Sequence, residues 1–433
     1  MRKYHTLLPA LCLITLMSYG QQIKKSEVKR ILSTLAADDM QGRETFKPGA
    51  EKAAAFLEKE FADAGLEPLA GDKDFRQSFF QYDTKLIKEK VVLNGKAGQP
   101  GIVFVTGVES EINWTQDTKV EIAHINAGDN FDNRVQELKR ASHNTLVWVD
   151  TTQVEKFNQY DGEIWLHGVH KQDSAATVVF VLKPQAFDGA GKWSVQVSQE
   201  VTRLPLCNVA GMITGSGKPD EYVIFSGHYD HIGIIAPVEQ DSIANGADDD
   251  ASGVTAVLML AKYFKKHPPV RSILFVAFTG EEIGGYGSRY FSRQLDPEKI
   301  VAMFNIEMIG KESKFGKNSA FITGYERSDF GQILGRNLES SVFHFYPDPY
   351  PEQQLFYRSD NATLARLGVP AHTISTTQID KDTLYHSVND EMESMDLDNI
   401  TSIIQAIATS ATSIVDGKDT PTRIDKAAVS RRR

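Results

Sequence analysis

From Asn208 onward the chain alternates short, mostly apolar runs with stretches whose apolar residues recur every three or four positions. The runs fall at 209–213, 222–225, 273–278, 301–306, 320–323 and 370–374. The periodic stretches fall at 254–264, 286–295, 330–338, 362–367 and 397–414. A strand that is apolar at every position is buried on both faces, and the intervening helices supply the cover. The pattern therefore predicts an α/β fold: a three-layer α/β/α sandwich around a mostly parallel mixed sheet. Two earlier helices join this layer. Val28, Ile31, Leu32 and Leu35 share one face and give way near Asp38-Asp39. Ala54, Leu57, Phe61 and Ala64 share a face of the second, which stops at Gly65.

Between residues 84 and 204 the texture changes. Short alternating or apolar runs at 91–93, 102–105, 120–125, 146–149, 164–166, 178–182 and 193–197 are separated by glycines and polar turns. Such spacing predicts a β-rich module inserted into the sandwich. His124, His143, His167 and His170 lie in it without a carboxylate at metal-ligand spacing, and read as surface or packing histidines.

At the N-terminus, Arg2 and Lys3 precede an apolar run at 7–17, followed by Ser18-Tyr19-Gly20. Basic, apolar and small residues in that order predict a cleavable export signal over 1–20, and hence a periplasmic or extracellular protein. The expected organisation is then an α/β domain built from 21–83 and 205–417, an inserted β-rich domain at 84–204 and a flexible tail at 418–433. With the signal gone, Cys207 is the single cysteine, so an intramolecular disulfide is excluded. It reads as a small buried hydrophobe. No segment is long and apolar enough to predict a membrane span. The formal charge is −10, and −12 without Arg2 and Lys3, which argues against a nucleic-acid partner.

The chemistry gathers at predicted strand ends. His228 and Asp230 follow 222–225, and Asp248-Asp249-Asp250 stand in the next loop. Glu281-Glu282 follow 273–278, Glu307 ends 301–306, and His386 lies in a loop before the last helix. Singly, each has an ordinary explanation. Acidic residues cap helices and meet the positive end of the helix dipole. Together they place two histidines and at least four carboxylates in the crevice beyond the carboxyl ends of the strands, where open α/β sheets bind ligands. Cations would relieve the repulsion among these charges. Imidazole and carboxylate suit zinc, and two ions sharing one carboxylate would form a hydrolytic site with a further carboxylate as general base.

The stretches GHYDH, NGADDDASG, FTGEEIGGYGS, NIEMIG, RSDN and YHSVND, in this order, resemble the co-catalytic zinc exopeptidases. That family includes bacterial leucyl aminopeptidases, glutamate carboxypeptidase II and glutaminyl cyclase. The resemblance covers 208 to about 417 and extends loosely to MQGRETFKPGAEKAAAFL near the N-terminus. It implies two Zn2+ per chain, with His228 and Glu307 on one ion, Glu282 and His386 on the other, and Asp249 bridging them. It assigns Asp230 to orienting His228, Glu281 to the general base, Tyr385 to stabilising the oxyanion and Arg358 to substrate contact. The chain departs from the common pattern at Glu307 (often Asp), Asp250 (often Asn) and Asn361 (often His). His231 is expected to point away from the ions, His372 to be a satisfied core histidine, and His267 and His344 to face solvent.

The activity implied is that of an exported aminopeptidase that hydrolyses N-terminal residues from peptides, with the insert, similar to the accessory (PA-like) domain of many members, limiting substrate size or contacting a second copy in a homodimer. A carboxypeptidase or cyclase of the same clan is the alternative; a terminal carboxylate would call for several arginines beside the site, and only Arg358 stands near the motifs. A non-catalytic relative of the transferrin-receptor type is disfavoured by the intact ligand set.

Overall fold

A computed structural model of the chain describes residues 23–99, 101–139, 141–160, 176–184, 187, 189 and 191–430. The expected signal at 1–20, the strand at 164–166, His167, His170 and Arg431-Arg432-Arg433 lie outside the described residues.

The central sheet orders its strands His344–Pro347, Ser319–Ile322, Ala371–Ser375, Ile300–Ile306, Lys218–His228, Arg271–Phe278, Trp193–Ile213, Arg76–Leu93 and Lys96–Ala97. The four from Ala371–Ser375 to Arg271–Phe278 are mutually parallel, and antiparallel strands flank them on each side. This is the mixed, mostly parallel centre expected from the apolar runs.

Alternate residues of these strands serve opposite faces, as the pleat requires. Val223, Phe225, Ile273, Phe275 and Phe304 enter one core with the helices Lys25–Leu35, Pro48–Asp63, Gly253–Lys266 and Leu397–Ser410. Ile224, Leu274, Val276 and Met303 enter a second core with Phe291, Leu364 and Val429. Two cores on opposite faces of one sheet make the three layers.

A smaller sheet, in the order Val103–Thr106, Val178–Lys183, Thr145–Asp150 and Glu121–Ile125, has its own apolar clusters. It also carries two helices, Phe131–Leu138 and Val154–Tyr160, that the polar texture of this region concealed. At eight and seven residues they are too short for helical periodicity to stand out. The two sheets are joined by an antiparallel ribbon. Arg76–Leu93 pairs with Trp193–Ile213 from Arg76↔Val209 to Leu93↔Trp193, running across positions 84 and 204.

Candidate metal centre

Register brings the site together. His228 is level with Phe278 on the neighbouring parallel strand, and Ser226 is level with Asn305 on the other side. Glu281 and Glu282 follow Phe278 by three and four residues, and Glu307 follows Ile306 directly. All therefore emerge at one end of the sheet. Asp249 arrives from the loop before Gly253–Lys266, and His386 from the loop before Leu397–Ser410.

Two donor groups result, each with its ligand atoms within 4.8 Å of one another. One is His228, Asp249 and Glu307; the other is His231, Asp249, Glu282 and His386. Asp249 belongs to both. Its Oδ1 lies 3.2 Å from His228 Nε2 and its Oδ2 lies 3.2 Å from His386 Nε2, so each oxygen faces a different histidine. His386 Nε2 also stands 3.1 Å from Glu282 Oε2. The five residues expected as ligands are thus all brought together.

The loop that presents Asp249 is held from three sides. Asp390 accepts from the backbone N–H of Asp248 and of Asp249, each at 3.1 Å. Asp250 accepts from the backbone N–H of His228, Gly253 and Met308, all at 3.1 Å, which gives this extra carboxylate a structural task. Arg43 is fully buried, and its guanidinium donates to the carbonyls of Tyr229, Leu35, Asn245, Gly246 and Asp249. Behind them, Lys311 lies 2.6 Å from Asp382 and 3.4 Å from Asp248, compensating the buried acidic loop.

Asp230 sits differently from expectation. His228 Nδ1 meets the backbone carbonyl of Asp230 at 3.0 Å, while the Asp230 carboxylate stands 3.9 Å away. That carboxylate instead accepts from the N–H of Glu281 and Glu282 and from the Thr45 hydroxyl. Asp230 therefore orients the histidine through its main chain and the glutamate pair through its side chain. The peptide N–H groups at the start of the Glu281 turn are free to donate to this anchor because no preceding helix turn engages them.

His231 is the larger difference. It faces the donor groups rather than away from them, with Nδ1 at 2.8 Å from Glu282 Oε1 and 3.7 Å from Asp249 Oδ2. Alternation along an extended strand would send positions 228 and 231 to opposite sides, but the strand ends at His228. Past that point the pleat no longer dictates direction. Thr45, Arg43 and Asp390 were also missed as site residues; the loosely matching MQGRETF and YHSVND stretches were the available signal.

Electrostatics match a site built for cations. Burial, followed by the charges of Glu307, Asp360 and Glu282, pushes the Glu281 carboxyl well above its usual range despite the opposing His228. Burial and the neighbouring Asp249 carry Glu307 to about 7. Burial pulls His386 down, but the carboxylates of Asp249 and Glu282 outweigh it and raise it to about 10. His228 Nε2, although 3.2 Å from Asp249 Oδ1, makes no aligned hydrogen bond, and Glu307 Oε2 is likewise buried without one. Orphaned imidazole nitrogen and carboxylate oxygen beside a shared aspartate fit zinc in donor type.

Glu281, Arg358 and Tyr385 line the pocket beside Asp249, Glu282 and Glu307, together with Met308, Phe321, Leu355 and Ile379. Glu281 belongs to neither donor group. Tyr385 stacks on His386 with ring centroids 3.9 Å apart, and burial with the surrounding carboxylates raises its hydroxyl above the usual range. Arg358 is exposed at the rim. Asn361 is fully buried and donates to the carbonyls of Phe356 and Ala371, away from the donor groups. His372 is also fully buried, satisfied by Ser328 at 2.7 Å and the Thr323 carbonyl at 2.8 Å.

Residues 208–411, the segment that carries every residue of both donor groups, match the profile of peptidase family M28. The chain carries an M28 peptidase domain. Curated relatives of this domain include a probable zinc metalloprotease of Pyrenophora tritici-repentis, 32% identical over 142 residues, or 30% of this chain and 29% of that protein. Another, from Pyricularia oryzae, is 38% identical over 110 residues, 25% of this chain and 22% of that protein. The chain thus spans less than a third of the length of these curated relatives. In fold, the chain is similar to an aminopeptidase from Aneurinibacillus sp. strain AM-1, with a TM-score of 0.53 at 18% identity, covering 95% of this chain and 97% of that one. It is similar also to BSAP, a zinc aminopeptidase from Bacillus subtilis, with a TM-score of 0.55 at 14% identity, covering 92% and 97%.

Proposed function

We propose that this protein is a dizinc aminopeptidase that removes N-terminal residues from peptides. The observation that carries the reading is the sharing of Asp249 between two donor groups, with Glu281 lining the same pocket and belonging to neither. His228 and Glu307 would hold one ion, Glu282 and His386 the other, and Asp249 would lie between them. Bound there, a zinc pair supplies Lewis acidity, polarising a carbonyl and acidifying a water.

The chain's own residues supply the rest. Glu281 takes the proton of the attacking water and returns it to the leaving amine, a task open to it because it belongs to neither donor group. The Tyr385 hydroxyl, held at the pocket by stacking on His386, donates to the oxyanion as it forms. Asp230 fixes the Glu281 turn through its two backbone N–H bonds, so the base does not need to be reoriented during reaction.

The choice of the amino end rests on charge. A terminal carboxylate would need cationic partners in the pocket, and Arg358 is the one cationic lining residue among those described. We further read residues 1–20 as a cleaved export signal, on the basic, apolar and small-residue order of that segment, and 84–204 as an accessory insert.

The test is hydrolysis of a panel of short peptides by the full protein, each offered with a free and with an acetylated amino terminus. The reading expects release of the first residue from the free peptides and none from the acetylated ones. Equal cleavage of both, or release from the carboxyl end, would overturn it.

A further inference from the structure

His231 is the one buried imidazole of the centre to which the proposed reaction gives no task. It is 1% exposed, and its ring lies edge-on to that of His386 with centroids 5.6 Å apart. Between the two rings stands Glu282. His386 Nε2 approaches its Oε2 at 3.1 Å, and His231 Nδ1 approaches its Oε1 at 2.8 Å.

The two oxygens are therefore in different situations. Oε2 shares His386 Nε2 with Asp249 Oδ2, which makes it the oxygen on the side of an ion. Oε1 is turned to His231 at hydrogen-bond distance, while Asp249 Oδ2 lies 3.7 Å from the same nitrogen. His231 Nε2 is buried with no partner. A proton on Nε2 would leave a buried N–H unsatisfied, whereas a proton on Nδ1 reaches the one acceptor within bonding distance.

The ring is also fixed in place. The backbone N–H of His231 donates to the Arg43 carbonyl at 3.3 Å, and its ring packs against Gly246, where an added Cβ would stand 2.6 Å from two ring carbons. Gly246 holds a φ of +56°, in the left-handed region where glycine is favoured. The loop at Gly246 thus closes one side of the ring.

We propose that His231 is a positioning residue for the second metal site: it donates Nδ1–H to Glu282 Oε1 and so presents Oε2 to the ion that Glu282, His386 and Asp249 would share. This rests on the dizinc reading above. It assigns His231 a hydrogen bond to a ligand and denies it a place among the ligands.

The test uses the full protein, stripped with a chelator and titrated with zinc, as native chain, His231→Ala and His231→Asn. The asparagine amide can donate from near the position of Nδ1 but does not serve as a zinc ligand in its place. Native protein should take up two zincs. In His231→Ala the affinity of one of the two should fall by about 10–100-fold, the usual effect of losing a partner that orients a ligand. His231→Asn should recover most of that loss, and its cobalt-loaded form should give the native absorption spectrum because the ligand set is unchanged. Native affinity for both ions in His231→Ala would overturn the proposal. So would a His231→Asn protein as weak as the alanine variant with an altered cobalt spectrum, since that result makes His231 a ligand. A native chain that takes up no zinc would overturn the dizinc reading itself, which is a separate and recognisable outcome.

Discussion

Two mixed sheets in this chain each place a histidine beside a carboxylate, at opposite ends of their parallel strands. In the small sheet, Glu121 begins one strand level with Thr145 on the next, and His143 precedes Thr145. The pair stands 3.3 Å apart with its side chains 70% and 64% exposed, at the amino ends of the strands. Water solvates both groups and little is gained by pairing them. In the large sheet His228 ends its strand 1% exposed, 3.2 Å from Asp249, and is joined there by Glu281, Glu282 and Glu307. The same residue types are inert at one end and concentrated at the other. Depth makes the difference: burial without full compensation is costly, and a cation removes the cost.

The comparison is tested most severely at Glu281. Glu281→Gln should lower kcat by about 10²–10⁴-fold while zinc content stays native, since the residue moves protons and is not a ligand. Steady-state kinetics paired with metal analysis would check both halves. A loss of zinc in parallel with activity would contradict the separation of base from ligands.

Next in size is the clamp beneath the metal loop. Arg43→Ala would strand the buried carbonyls of Tyr229, Asn245 and Gly246, and should reduce unfolding stability by about 3–5 kcal/mol. Denaturant titration would show it. A loss under about 1 kcal/mol would mean that other donors or water replace the guanidinium.

A third prediction concerns pH. Burial holds the His372 imidazole down at about 4, below its ordinary 6.5. Above pH 6.5 neither state protonates it and the stability it allows is fully present. As pH falls from 6.5 to 4 the unfolded chain gains the proton and the native chain does not, so stability falls, by about 3 kcal/mol from this group. Unfolding measured across that range for native protein and His372→Asn should show a shallower loss in the variant. Identical slopes would remove His372 from the acid response.

The smallest effect belongs to the other side of the comparison. His143→Ala beside the small sheet should change stability by no more than about 0.5 kcal/mol and leave peptide hydrolysis untouched.

Much of this was legible in the chain because the governing physics is local. Continuous apolar runs such as 273–278 announced strands buried on both faces, and Arg271–Phe278 is buried throughout. Charged residues just past such runs announced a crevice, and His228, Asp249, Glu282, Glu307 and His386 meet there. The ribbon was harder to read. Its strand Arg76–Leu93 is largely polar and half-buried along its middle, so its pairing with Trp193–Ile213 carries little hydrophobic signal. His231 and His372 show where local reasoning stops. Both were expected to be structural, and the second is, with two hydrogen bonds closing its needs. The direction of the first depends on where a strand ends and on a glycine fifteen residues later, neither of which side-chain alternation encodes.

The central claim is that one crevice holds two ions through a shared aspartate. It is met most directly by counting zinc per chain after loading and dialysis, in the native protein and in Asp249→Ala. Two zincs in the native chain and loss of both from the variant is the result this account predicts. A native chain that holds only one, or a variant that keeps two, would contradict it.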